Sequence, residues 1–300
     1  MKAVSLFLFF IAAGAACAAS PQAGAGKVQV VAAFYPLEEV ARRIGGPQAE
    51  VFDLTPPGAE PHDLELRPSD LRRVRSAGLV LYLGEGFQPA LERAVATMAD
   101  KSRAIDVLAD MQLRPAAGEE AAAEAADPHV WLSPLLMERI ATSTAGALSA
   151  RSPSRASEFR ARQALLMSDL DSLDREYQSK LSSCVRRDIF TSHAAFGYLA
   201  DRYGLDQVAI TGLSPEAEPS PKRLEEVARL ARERGATTIF FETLVSPRVA
   251  DAVARTAGAK TAVLDPIEGL TPAERKAGAD YFSIMRSNLG SLTEALGCRT

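Results

Sequence analysis

SRASEFRARQALLMSDLDSLDREYQSKLSS, residues Ser154 to Ser183, contains neither glycine nor proline. Phe159, Leu166, Leu170, Leu173, Tyr177 and Leu181 recur along it at helical spacing and make one apolar stripe. Pro153 stands just before the run, where proline is tolerated at a helix start. A helix of that extent would run ~45 Å at roughly 1.5 Å per residue. That is long enough to brace two lobes, although the same stripe would also serve a long helix inside one domain.

On both sides of this stretch, short β-branched runs alternate with helical patterns. Before it, strand-like VQVVAAF (Val28 to Phe34) leads into a helix from Leu37 to Ile44, closed by Gly45-Gly46. Val51 to Leu54 is the next strand, Pro68 to Ala77 a helix, and Leu79 to Leu83 (LVLYL) a strand apolar on both faces. Gln88 to Met98 reads as a helix, Ala104 to Val107 as a short strand, and Pro134 to Ser149 as a helix. After it, strands at Asp188 to Thr191, Gln207 to Thr211, Thr237 to Phe241 and Thr261 to Leu264 alternate with helices at Ala194 to Tyr203, Pro221 to Arg234, Pro247 to Thr256 and Tyr281 to Leu296. This rhythm predicts an α/β fold of βα units and mostly parallel sheet, with the second half repeating the first. The boundaries expected are 27–150 for an N-terminal lobe, 151–183 for the linking helix and 184–300 for a C-terminal lobe.

Residues 1–19 read as an export signal: Lys2 is positive, Ser5 to Ala16 is apolar, and alanines around Ala16 to Ala19 suit a signal peptidase. Cys17 offers lipid attachment as the less favoured alternative, because Gly14-Ala15-Ala16 lacks a large aliphatic residue. Loss of the leader leaves Cys184 and Cys298, an even pair in an oxidising compartment, hence one expected disulfide. A net charge of −4 and the absence of a basic run argue against nucleic acid as a partner. Ala116 to Ala126 (AAGEEAAAEAA) is an acidic, low-complexity stretch expected to be a surface loop.

The chain has three histidines. His62 and His193 each follow a strand-like run, and His129 lies in DPHVWLSP ahead of a helix. Asp265 ends another strand in TAVLDPIEGL. Ligands of parallel α/β sheets bind beyond the C-terminal strand ends. Three imidazoles and a carboxylate would make a closed tetrahedral shell for zinc. The rival is a zinc hydrolase with Asp265 as general base, but HExxH, GxSxG and phosphate-binding glycine motifs are absent. Glu242 follows the buried strand TTIFF and should orient a histidine through its free N–H. Glu60, near His62, could replace a water or Asp265 as a ligand or lie behind the ligands, against the more ordinary role of an exposed loop carboxylate.

FYPL (Phe34 to Leu37), GAEPHDLELRPSDL, DPHVWLSP, FTSHAAFGYLADRYGL, SPEAEPSPKRLEEV from Ser214, FFET (Phe240 to Thr243) and LDPIEGL occur in this order over nearly the whole mature chain. Together they resemble the periplasmic zinc- and manganese-binding receptors of bacterial metal ABC importers. The resemblance implies two Rossmann-like lobes joined by a rigid backbone helix, with the metal in the cleft between them. It implies His62, His129, His193 and Asp265 as ligands of Zn2+, and a monomeric periplasmic receptor rather than an enzyme. The implied partners are a membrane permease with its ATPase, with a periplasmic zinc chaperone a further candidate. Similar manganese receptors often carry glutamate at the third position, so His193 favours zinc; a manganese-preferring receptor is the alternative. The histidine-rich loop of better-known zinc receptors is missing, and the acidic 116–126 stretch stands in its place.

Overall fold

A computed structural model describes residues 26–116 and 126–299. The leader 1–19, Cys17 and most of the acidic stretch 116–126 lie outside these residues. The N-terminal half runs β1 (Val28–Ala32), α1 (Tyr35–Gly45), β2 (Ala49–Asp53), α2 (Pro68–Ser76), β3 (Leu79–Tyr82), α3 (Pro89–Ala96), β4 (Ala104–Asp106) and α4 (Pro134–Arg151). The long α5 (Ala156–Leu181) follows. The second half runs β5 (Asp188–Thr191), α6 (Gly197–Tyr203), β6 (Asp206–Ala209), α7 (Pro221–Glu233), β7 (Thr238–Phe241), α8 (Arg248–Ala257), β8 (Lys260–Val263), α9 (Pro272–Ala277) and α10 (Tyr281–Leu296).

Each half builds a four-stranded parallel sheet, in the order β2-β1-β3-β4 and β6-β5-β7-β8. The chain leaves the first strand to one side and returns on the other, so each sheet has a switch point where its connecting loops diverge. The apolar stripe of α5 is buried as its spacing predicts, through Phe159, Leu166, Leu170, Leu173, Tyr177 and Leu181. It packs on α1, α4 and α10. One apolar core runs from the first sheet through this layer to Ile189, α6 and α10, and a smaller core lies under α7 and α8.

α9 was not anticipated, because six residues carry too little periodicity to announce a helix. It is held by a capping box, with Thr271 Oγ1 accepting the Glu274 N–H at 3.2 Å while Glu274 accepts the Thr271 N–H at 2.8 Å. α9 also returns the chain to the first half. Arg275 donates to Glu38 of α1 at 2.8 and 3.3 Å. Arg43 of α1 reaches Asp280 at 3.0 Å and covers the Phe282 ring. Cys184 and Cys298 are disulfide-bonded, tying the segment just after α5 to the second residue past α10. No helix among the described residues is long and apolar enough to cross a membrane.

Candidate metal centre

The loops after β2, β5 and β8 and the turn before α4 converge on one point. His62 sits in the loop after β2, where Glu60 accepts its backbone N–H at 3.1 Å. That loop is held to the sheet by Gln88, which is 1% exposed and donates to the carbonyl of Pro61 at 3.1 Å and to Thr55 Oγ1 at 3.2 Å. Asp127 Oδ1 serves His129 twice, accepting its backbone N–H at 3.0 Å and lying 2.8 Å from Nδ1. Glu242 Oε1 does the same for His193, at 3.2 Å from the backbone N and 2.7 Å from Nδ1. A carboxylate at Nδ1 keeps the ring proton there and leaves the Nε2 lone pair for a cation.

The three Nε2 atoms face one oxygen. Glu268 Oε1 lies 3.4 Å from His62, 3.2 Å from His129 and 3.3 Å from His193. Nε2 of His129 and Nε2 of His193 are 3.3 Å apart, and one ligand atom from each of the four residues fits within 4.8 Å of the others. His129, His193 and Glu268 are buried, whereas the His62 side chain keeps 12% of its surface. The other Glu268 oxygen, Oε2, is buried with no hydrogen-bond partner. Three nitrogens and one carboxylate around a common centre, with an orphaned buried oxygen, suit a tetrahedral divalent ion such as zinc. Phe87 packs on His62 and Trp131 on His129, with ring centroids 4.5 and 5.1 Å apart, so one wall of the site is apolar.

Electrostatics divides the histidines. Burial lowers the pKa of His62, against the pull of Glu268. Burial also opposes charge on His193, but Glu242 and Glu268 outweigh it and raise its pKa well above the ordinary value. His129 is raised in the same way, burial being overcome by Asp127 and Glu268. Glu268 is held well below the usual carboxylate range, its burial overcome by His193, His129 and His62. Glu60 is half-buried and pushed up to about 9, first by burial and then by the charge of Glu268.

Asp265, expected as the fourth ligand, is not in this group. Its Oδ1 accepts the Ile267 N–H at 2.7 Å within its own turn and its Oδ2 the hydroxyl of Thr243, in the loop after β7, at 3.0 Å, so both oxygens are engaged. Burial raises it to about 7, opposed by those two hydrogen bonds. Glu268, three residues on in the same LDPIEGL segment, takes the position instead. Glu242 Oε1 lies 2.7 Å from His193 Nδ1, and Glu60, which is only partly exposed, accepts the His62 backbone N–H. Sequence reading passed over Asp127 and Glu268. A shared pattern could have found the first: Glu60-Pro61-His62 and Asp127-Pro128-His129 are both acid-proline-histidine.

The family described as zinc-uptake complex component A, periplasmic, matches residues 30–295. The zinc-binding protein AdcA of Streptococcus pyogenes serotype M1 is 36% identical over 89% of this chain, which spans about half (56%) of that relative's length. The high-affinity zinc uptake system protein ZnuA of Bacillus subtilis is 34% identical over 96% of this chain and 97% of its own. Among solved structures, the Zn(II)-bound ZnuA-like domain of Streptococcus pneumoniae AdcA superposes with a TM-score of 0.78 at 36% identity, covering 90% of this chain and 99% of that one. With a family match over most of its length and relatives above 30% identity, the chain belongs to the periplasmic zinc-uptake component A family.

Proposed function

We propose that this chain captures Zn2+ outside the cytoplasmic membrane and delivers it to the permease of an ABC importer. The observation that carries the reading is the convergence of three Nε2 atoms on one oxygen of Glu268. His62, His129, His193 and Glu268 are the ligands of this reading. Nitrogen-rich sites favour zinc, whereas manganese prefers oxygen. The names of the Bacillus and Streptococcus relatives point the same way.

Four protein ligands close a tetrahedral shell, which leaves no position for the activated water a zinc hydrolase needs. The chain therefore acts as a receptor and not as an enzyme. Residues 27–150 and 184–300 serve as the lobes, 151–183 as the brace, and 1–19 as the export leader. It works as a monomer in the periplasm, with the permease and its ATPase as partners.

Calorimetric titration of metal-free protein with zinc and with manganese tests this. One tight zinc equivalent is expected, with manganese far weaker. Tighter manganese binding would replace the zinc reading with the manganese one. Parent-like zinc affinity in Glu268→Ala would refute the four-ligand site.

A further inference from the structure

We propose that Asp265 is a positioning residue that holds a left-handed turn at Ile267 and so aims Glu268 at the histidines. The inference rests on Glu268 being a ligand, as read above. Three segments of the site share one device, an acid followed by proline whose carboxylate accepts the N–H two residues on. The bonds are Glu60 to His62 at 3.1 Å, Asp127 to His129 at 3.0 Å and Asp265 to Ile267 at 2.7 Å. At the first two turns the residue two past the acid is the metal-facing histidine. At the third that place is held by Ile267, which is fully buried, and the next residue supplies the oxygen.

Ile267 is also where the backbone departs from ordinary geometry, with φ +57°. A β-branched residue there is a genuine outlier, and such strain persists only where the surroundings over-determine it. They do so here from both halves of the chain. From the second half, Thr243 donates to Asp265 Oδ2, and the Asn288 side chain brackets the Asp265 backbone, accepting its N–H at 2.9 Å and donating to its carbonyl at 2.7 Å. From the first half, Trp131 Nε1 donates to the Pro266 carbonyl at 2.7 Å, and the Gly58 N–H to that of Leu270 at 2.9 Å. Asp265 is the member of this set that bonds to the strained residue itself. Without that bond the turn is free to relax toward negative φ, and Glu268, one residue on, loses its aim.

The test compares zinc affinity in two matched pairs. In Asp265→Asn the amide oxygen still accepts the Ile267 N–H and the amide nitrogen can donate to Thr243, so affinity should stay close to the parent. Asp265→Ala removes both bonds and should weaken zinc by roughly 10–100-fold, the usual effect of losing a partner that orients a ligand. Ile267→Ala and Ile267→Gly delete the same buried side chain, but only glycine adopts positive φ freely. Glycine should therefore bind zinc about 5- to 30-fold more tightly than alanine, the left-handed penalty of an L-residue expressed as affinity. Asp265→Asn binding as weakly as Asp265→Ala would make the charge itself the contributor and overturn the proposal. Equal affinity in the two Ile267 variants would overturn it as well. Metal-free unfolding of every variant is measured alongside, and affinity losses that merely track lost stability would also count against it. Glu268→Ala separates the two readings: parent-like binding there sinks the site, whereas a large loss there with no contrast in the two pairs sinks only the positioning role.

Discussion

Glu242→Gln separates two effects that one carboxylate exerts on His193. Glu242 is 3% exposed, and its Oε1 meets both the backbone N and Nδ1 of His193. Glutamine has the same shape, and its amide oxygen can accept both bonds, so the ring should stay in place while the charge disappears. In the zinc-bound state His193 becomes a less basic ligand, and an anion near the ion is lost. Such changes weaken metal binding by roughly 10–100-fold, or about 1.4–2.8 kcal/mol. The metal-free state responds with opposite sign. Glu242 is foremost among the groups that raise His193 against its burial, so the variant ring sheds its proton at lower pH. Zinc then displaces fewer protons from the variant than from the parent. The affinity gap should be widest at alkaline pH and narrow as pH falls. Competition titrations against a chelator across pH measure the gap, and calorimetry in buffers of different ionisation enthalpy counts the protons. A gap that does not change with pH, or equal proton release by both proteins, would refute the reasoning.

The metal-free protein should lose stability as pH rises above roughly 6.5, because His129 and His193 have raised folded pKa values and their contribution is whole only below the ordinary histidine value. His62, shifted down, and Glu268, held low, act the other way and erode stability as pH falls. Urea midpoints across pH should thus peak in the mildly acidic to neutral range without zinc, and a metal-free midpoint that climbs steadily into alkali would contradict this. Arg275→Ala leaves Glu38, 2% exposed, with Arg42 alone, and should cost about 2 kcal/mol, below the ~3–5 of a fully buried pair because the Arg275 side chain keeps 37% of its surface. Thermal unfolding checks it, and an unchanged midpoint would mean that Arg42 satisfies Glu38 unaided. Replacing Cys184 and Cys298 together by serine should lower unfolding free energy by roughly 2–5 kcal/mol, and a loss under reductant in the parent but not in the variant confirms the source.

Elements whose pattern repeats were legible in the sequence. The stripe of α5 and the β-branched runs announce a helix and parallel strands because burial imposes a period on them. The histidines were legible because each stands where a strand or a turn delivers it to the cleft. The carboxylate that lies among the histidines is Glu268 rather than the expected Asp265, for a physical reason. Strand ends point to Asp265, but the side chain that reaches the centre depends on one backbone torsion, at Ile267, and neither spacing nor composition encodes that. Asp127 was passed over because an acid before Pro-His reads as a turn former, which it also is: the same oxygen makes the turn and engages the ring.

Charge explains why three carboxylates are spent on a site that needs one ligand oxygen. Asp127, Glu242 and Glu268 are all buried around the histidines. Glu60, pushed up to about 9, stays neutral near pH 7 and adds no charge. Without metal, the surrounding carboxylates favour the imidazolium forms of His129 and His193 against their burial. A cation held by the Nε2 atoms needs those imidazoles neutral and brings its own positive charge to the carboxylates. Binding of a cation at the Nε2 atoms would therefore release protons from His129 and His193, the ion taking over their part as counter-charge to the buried carboxylates. The carboxylates behind the rings therefore do more than orient them. They keep the metal-free cluster compact and paired, where three neutral imidazoles around a lone Glu268 would leave that anion without a counter-charge. The same exchange makes acidification the natural opponent of zinc at this site, since each proton that returns to His129 or His193 takes a lone pair from the ion.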